Sequence, residues 1–170
     1  IERVDNPLTV HGDPYNPSPD GSKWNICFVS ETIPEAEFLR RYPNADTSSF
    51  KSDGVDDEEK HWFDGEEIRV AEYWKRKEVE KNLLLLSNGE VMFEDRYLEN
   101  KDLFDSVGLQ IVKQRPTKTY KVCQYILTSK EILERNEWPG MYIPIVPVYG
   151  EEVNENGKIH YFSLIHHAKD

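Results

Sequence analysis

Two Asn-Gly dipeptides, each set between short apolar runs, constrain the fold more than any other feature of the chain. The first falls in Ser87-Asn88-Gly89-Glu90, between Leu83–Leu86 and Val91-Met92-Phe93. The second falls in Asn154-Glu155-Asn156-Gly157, ahead of the run Ile159–Ile165. Asn and Gly tolerate the positive backbone angles of a two-residue turn, whose twist matches that of antiparallel neighbours. Each segment therefore predicts a β-hairpin. More strand-like runs surround them: Trp24–Val29, Ile68–Trp74, Leu109–Val112, Tyr120–Leu127 and the brief Ile132-Leu133. Within Ile68–Trp74 the alternation sets Ile68, Val70 and Glu72 on one side and Arg69, Ala71 and Tyr73 on the other, which makes Glu72 the odd residue of the apolar side.

Proline limits what else the chain can form. Tyr142–Tyr149 carries Pro144 and Pro147 inside an apolar run, and proline cannot donate to a ladder. This segment is expected to be an edge strand or an extended buried stretch. Residues 1–23 hold Asn6-Pro7, Asp13-Pro14, Asn16-Pro17, Pro19 and Asp20-Gly21, leaving room only for short extended pieces. Helix signals follow the first long strand. Thr32 is a candidate cap, Pro34 lies near the first helical position, Glu35 and Glu37 suit the positive end of the dipole, and Arg40-Arg41 suit the other end before Pro43. Phe38 and Tyr42, four apart, would share a face. A short helix is expected over 98–107, and residues 44–60, polar and without periodicity, read as a mobile acidic loop. The whole reads as an α+β domain, β-rich, with mainly antiparallel sheet and two or three short helices.

The chain has 170 residues, 21 basic and 32 acidic, for a net charge of −11. Sixteen of the acidic and six of the basic side chains lie in residues 1–67, concentrated at Asp53, Asp56, Asp57, Glu58, Glu59, Asp64, Glu66 and Glu67. A surface so acidic repels phosphate, which argues against salt-driven gripping of nucleic acid or anionic membrane. No apolar run approaches a membrane span. Cys27 and Cys123 have no CxxC spacing, so they are expected to be buried thiols of a reducing cytoplasm. The chain opens on Ile1 without Met and stops at Lys169-Asp170 after an apolar strand pattern, which suggests one structural module, residues 1–170, cut from a longer subunit.

A search for chemistry finds little. The sequence holds no Gly-rich phosphate loop, GxSxG elbow, HExxH or EF-hand loop. Asp13 to Asp20 has oxygens at the wrong spacing for calcium, and its aspartates and prolines suit turns. His160 and His166 would project from one strand face roughly 20 Å apart, too far to share a metal. The carboxylates of 53–67 could supply a hydrolase with Asp64 or Glu66 in the reacting pair, but nothing sets two of them on a rigid scaffold. No catalytic, cofactor-binding or metal residue is therefore assigned, and no cofactor is expected. Trp24, Trp62, Trp74 and Trp138 offer an alternative, a β-rich ligand- or carbohydrate-binding module using exposed tryptophans, although two or three of them are expected in the core.

An ordered set of motifs also carries a resemblance. The set comprises Asp13-Pro14 with Asp20, Phe38 with Arg41-Tyr42-Pro43, Trp62-Phe63 leading into Ile68–Trp74, Leu127-Thr128 and Ile132-Leu133-Glu134. It continues with Trp138-Pro139-Gly140, Ile143–Gly150, Gly157-Lys158 through Leu164-Ile165, and His167–Asp170. Over roughly residues 2–170 the chain resembles the central body of the portal proteins of short-tailed bacteriophages of the Salmonella-phage type. The resemblance implies a structural, non-enzymatic subunit of a phage or prophage portal, in a dodecameric ring at the capsid vertex of the virion. DNA would enter and leave through that ring without sequence-specific binding. It further implies assembly in the bacterial host cytoplasm, partnership with terminase, capsid and tail or head-completion proteins, and no membrane. The motor chemistry would belong to the terminase, in keeping with the missing phosphate loop. Ring closure needs head-to-tail contacts; Arg69, Glu72, Lys75 and Arg76 beside Tyr73 and Trp74 form the candidate contact strip.

Overall fold

The computed structural model describes residues 3–16, 18–45, 63–64 and 67–162. The acidic loop expected over 44–60 lies outside them from residue 46 onward, as do Trp62, Glu66, His166, His167 and the part of the expected return strand from residue 163 to residue 165. In chain order the elements are a 3-10 turn at Pro7–Thr9, then β1 (Val10–His11), β2 (Ile26–Pro34), α1 (Glu35–Arg41), β3 (Phe63–Asp64), β4 (Glu67–Leu86) and β5 (Val91–Phe93). They continue with α2 (Glu94–Glu99), α3 (Lys101–Ser106), β6 (Ile111–Leu127), β7 (Ile132–Trp138), β8 (Glu151–Glu155) and β9 (Lys158–Phe162). The main sheet runs β1-β2-β4-β6-β7, with β3 and β5 also paired to β4, while β8 and β9 form a separate two-stranded sheet. Every pairing whose register is given is antiparallel. Among the described residues the fold is thus strand-rich with three short α-helices, within the two or three expected.

The two Asn-Gly sites fold differently. At Asn156-Gly157, Glu155 pairs with Lys158 and both turn residues take positive φ, 52° and 81°, a two-residue turn of the expected kind. At Asn88-Gly89 the turn is one residue longer. The Leu86 N–H donates to the Glu90 carbonyl (2.9 Å) and only Gly89 has positive φ. The Asn88 side-chain oxygen accepts from the Glu90 N–H at 2.9 Å instead. Asn can bond its own backbone two residues on, and that local bond draws Asn88 out of the tighter turn.

Other boundaries moved for equally local reasons. Thr32 does not cap α1; it lies inside β2 opposite Arg69, because the β2–β4 ladder continues to Pro34 opposite Glu67. Pro34 is the N-cap residue and supplies no side-chain bond. The helix expected over 98–107 is two short helices, α2 and α3, broken at Asn100, whose side chain donates to the Arg96 carbonyl. The two runs at 109–112 and 120–127 are one strand, β6. Pro116 lies within it, ahead of the stretch that pairs with β7, which begins at Val122. Tyr142–Tyr149 takes neither strand nor helix, but its burial still alternates: Ile143 is buried and Ile145 partly so, while Val146 and Val148 are 67% and 91% exposed.

Two compact units divide the chain, Ile1–Arg76 with Val122–Asp170, and Lys77–Lys121. The first holds two apolar clusters. One joins Trp24, Cys27, Trp74, Val122 and Ile143; the other joins Ile33, Phe38, Ile68 and Val70, with Tyr42 packed against it. Phe38 and Tyr42 do share a face, with ring centroids 5.4 Å apart. The second unit is built on Leu84, Leu86, Met92 and Tyr97.

The turn-rich N-terminal arm is pinned by Asp13, which is 5% exposed. Burial pushes its carboxyl up, but bonds from the Asn25 N–H (3.0 Å), the Asn16 side chain (2.8 Å) and the Tyr15 N–H (2.9 Å) win and hold it below the usual range. Asp13→Ala leaves these donors without an acceptor and should cost about 1–3 kcal/mol. Asp13→Asn, which keeps an accepting oxygen, should cost clearly less in urea titrations; equal losses would contradict this account.

Helix α1 carries its own electrostatic clamp. Glu37 accepts from Arg40 and Arg41, each at 2.8 Å, and these bonds hold its carboxyl at about 2. A folded value below the ordinary 4.5 means that the stabilisation is fully present above that pH and is lost as pH falls toward 2. NMR titration should place the Glu37 midpoint near 2. Replacing both arginines with alanine should return it toward 4.5, and an unshifted midpoint would exclude the clamp.

Candidate subunit-contact face

The first half of β4 carries the five contact candidates, and strand alternation divides them between two faces. On one face Glu72, Trp74 and Arg76 turn toward the packed side of the sheet. The Trp74 indole N–H donates to Glu72 at 2.9 Å, and the Gln124 side-chain amide of β6 donates to the same carboxylate oxygen. The Asn136 amide of β7 donates to the Gln124 carbonyl at 3.3 Å. These bonds explain how an acidic residue sits on the apolar side of β4: the carboxylate accepts from one donor on its own strand and one on β6, and the β6 amide is held in turn from β7. Burial pushes the neighbouring Cys27 thiol up to about 12, with the Glu72 charge adding to the effect. Both cysteines are free and buried. Arg76 donates to the Ser22 carbonyl at 2.7 Å, with its guanidinium over the Tyr142 ring.

The opposite face carries a row of rings perpendicular to the strands. Phe28 of β2 lies opposite Tyr73 of β4, and their rings stack at 4.5 Å. Tyr73 stacks in turn on Tyr125 of β6 at 5.9 Å. Arg135 of β7, opposite Tyr125, sets its guanidinium over that ring at 5.7 Å. His11 of β1 extends the row beyond Phe28. The three rings are half-buried and His11 and Arg135 are exposed. Burial raises the Tyr73 phenol above its ordinary value. Cross-strand stacks of this kind hold a sheet in register, and flat rings flanked by cations also make a surface suited to contact.

Of the five candidates, Trp74 is buried, and Glu72 and Arg76 are spent on internal bonds. Tyr73 lies in the aromatic row, and Arg69, opposite Thr32, lies on the same face. Sequence reasoning placed Arg69 and Tyr73 together correctly but missed Phe28, Tyr125 and Arg135. These three join Tyr73 only through strand register, which a single sequence does not display. Trp24 and Trp74 are in the core, whereas Trp138, 41% exposed, packs edge-on against Trp74 at 6.0 Å. Among the described residues no three His, Cys, Asp or Glu side chains are grouped to hold a metal ion. Asp13 accepts from the Tyr15 and Asn25 N–H groups and the Asn16 amide, and Asp20 Oδ1 accepts from the Ser18 hydroxyl and the Ser22 N–H.

No curated protein matches the chain. The family described as phage P22-like portal protein matches it from residue 1 to residue 170, the full length, in agreement with the ordered motif set. The chain belongs to the phage P22-like portal protein family.

Proposed function

We propose that this chain serves as a β-rich body segment of a ring-shaped portal, a structural module that lines or braces the capsid-vertex channel for packaging and ejection of the genome. The observation that carries this reading is the family match over the whole chain. The physical chemistry agrees with it. A conduit must let DNA slide, and a net charge of −11 offers few phosphate traps. The sequence holds no phosphate loop, so the energy of translocation would come from a separate terminase, with capsid and tail or head-completion proteins as the other partners. Subunit contacts would use the aromatic face of the sheet, with Tyr73 at its centre and Arg69 and Arg135 at its rim. Electron microscopy of the full-length subunit that carries this chain should show closed rings of about a dozen copies. A strictly monomeric subunit under all assembly conditions would sink the proposal.

A further inference from the structure

We propose that the aromatic face of one subunit receives the proline-stiffened run Tyr142–Tyr149 of a second copy of this chain, an inference that rests on the ring reading above. Both surfaces belong to the first compact unit and lie on opposite sides of its sheet. Ile143 packs with Cys27, Trp74 and Val122, residues on the side of the strands away from Tyr73. Phe28, Tyr73 and Tyr125 stack on the other side. A contact between the front of one copy and the back of the next is head-to-tail, the kind that closes into a ring when the rotation between copies closes.

The chemistry of the two surfaces is complementary. Because Ile143 and Ile145 anchor the run inward, Val146 and Val148 stand out at 67% and 91% exposure, apolar area that gains from being covered. Pro144 and Pro147 fix their own φ near −65°, which removes backbone freedom from the run and lowers the entropy lost on docking. Proline-rich extended segments are recurrently received by aromatic-lined surfaces, and the row of half-buried rings is such a surface. Charge supports the same pairing. Arg69, Lys75 and Arg135 flank the rings, with Glu137 among them, while Glu151 and Glu152 directly follow the run.

The test places the photoreactive residue p-benzoylphenylalanine at Val148, which is exposed enough to accept it without disturbing the fold. The assembled subunit is irradiated as a mixture of isotopically light and heavy chains. Light-to-heavy crosslinks from position 148 to Phe28, Tyr73 or Tyr125 are expected. In addition, the double variant Val146→Asp with Val148→Asp should lower the yield of rings about tenfold or more. Rings that form normally in that variant, or that crosslink from position 148 only to other segments, overturn this contact while leaving the ring reading standing. A subunit that never assembles overturns both.

Discussion

Replacing Phe38 with alanine should destabilise the first unit by about 3–5 kcal/mol. The ring is fully buried among Ile33, Ile68 and Val70 and packs on Tyr42, so its removal leaves a cavity whose walls belong to paired strands and cannot collapse inward. Helix α1 makes the loss worse. It has seven residues, too few for an isolated helix to hold in water, and Phe38 is its one buried side chain. Without that anchor the Glu37 clamp should loosen as well, and its carboxyl should titrate closer to the ordinary range. Urea unfolding followed by circular dichroism measures the first effect and NMR the second. A loss below about 1 kcal/mol would show that α1 is held by something other than this ring.

Trp74→Ala should cost a similar amount, about 3–5 kcal/mol, for a partly different reason. The indole is 5% exposed in the cluster with Trp24, Cys27, Val122 and Ile143, and Trp138 packs edge-on against it. Its removal also takes one of the two donors from the Glu72 carboxylate, which then stays on the packed side of the sheet with only the Gln124 amide. Two further variants separate the contributions. Trp74→Phe keeps most of the packing and loses the donor, and should cost less than half as much. Trp138→Ala, at a site 41% exposed, should cost less than Trp74→Ala. Equal costs for Trp74→Ala and Trp138→Ala would mean that the cluster is not centred on Trp74.

Much of the backbone plan was legible in residue order because it is local. Asn156-Gly157 closes a two-residue turn for conformational reasons that involve only neighbours, and Phe38 with Tyr42 meet because four residues make about one helical turn. Local reasoning failed where two local preferences competed. Asn88 could have entered a tight turn with Gly89 but bonded the Glu90 N–H instead. Thr32 could have capped a helix but its backbone was claimed by the ladder opposite Arg69. The odd residue Glu72 announced itself by alternation alone, whereas its partner Gln124, 52 positions away, did not.

The aromatic face shows the same boundary more sharply. Alternation along β4 was enough to separate Tyr73 from Trp74, since successive side chains on a strand must point to opposite sides. Which side is packed and which is open depends on what other segments cover. The apolar side marked by Ile68 and Val70 is the packed one, but that Phe38 and Ile143 are the residues covering it is not encoded in residues 68–74. By itself the sequence determined a strand-rich antiparallel fold, the tight turn at Asn156-Gly157 and the portal-protein family. Only the tertiary structure gathered Phe28, Tyr73, Tyr125 and Arg135 into one row, because register between strands distant in the chain is set by the packing of the whole sheet and not by the residues of any one strand.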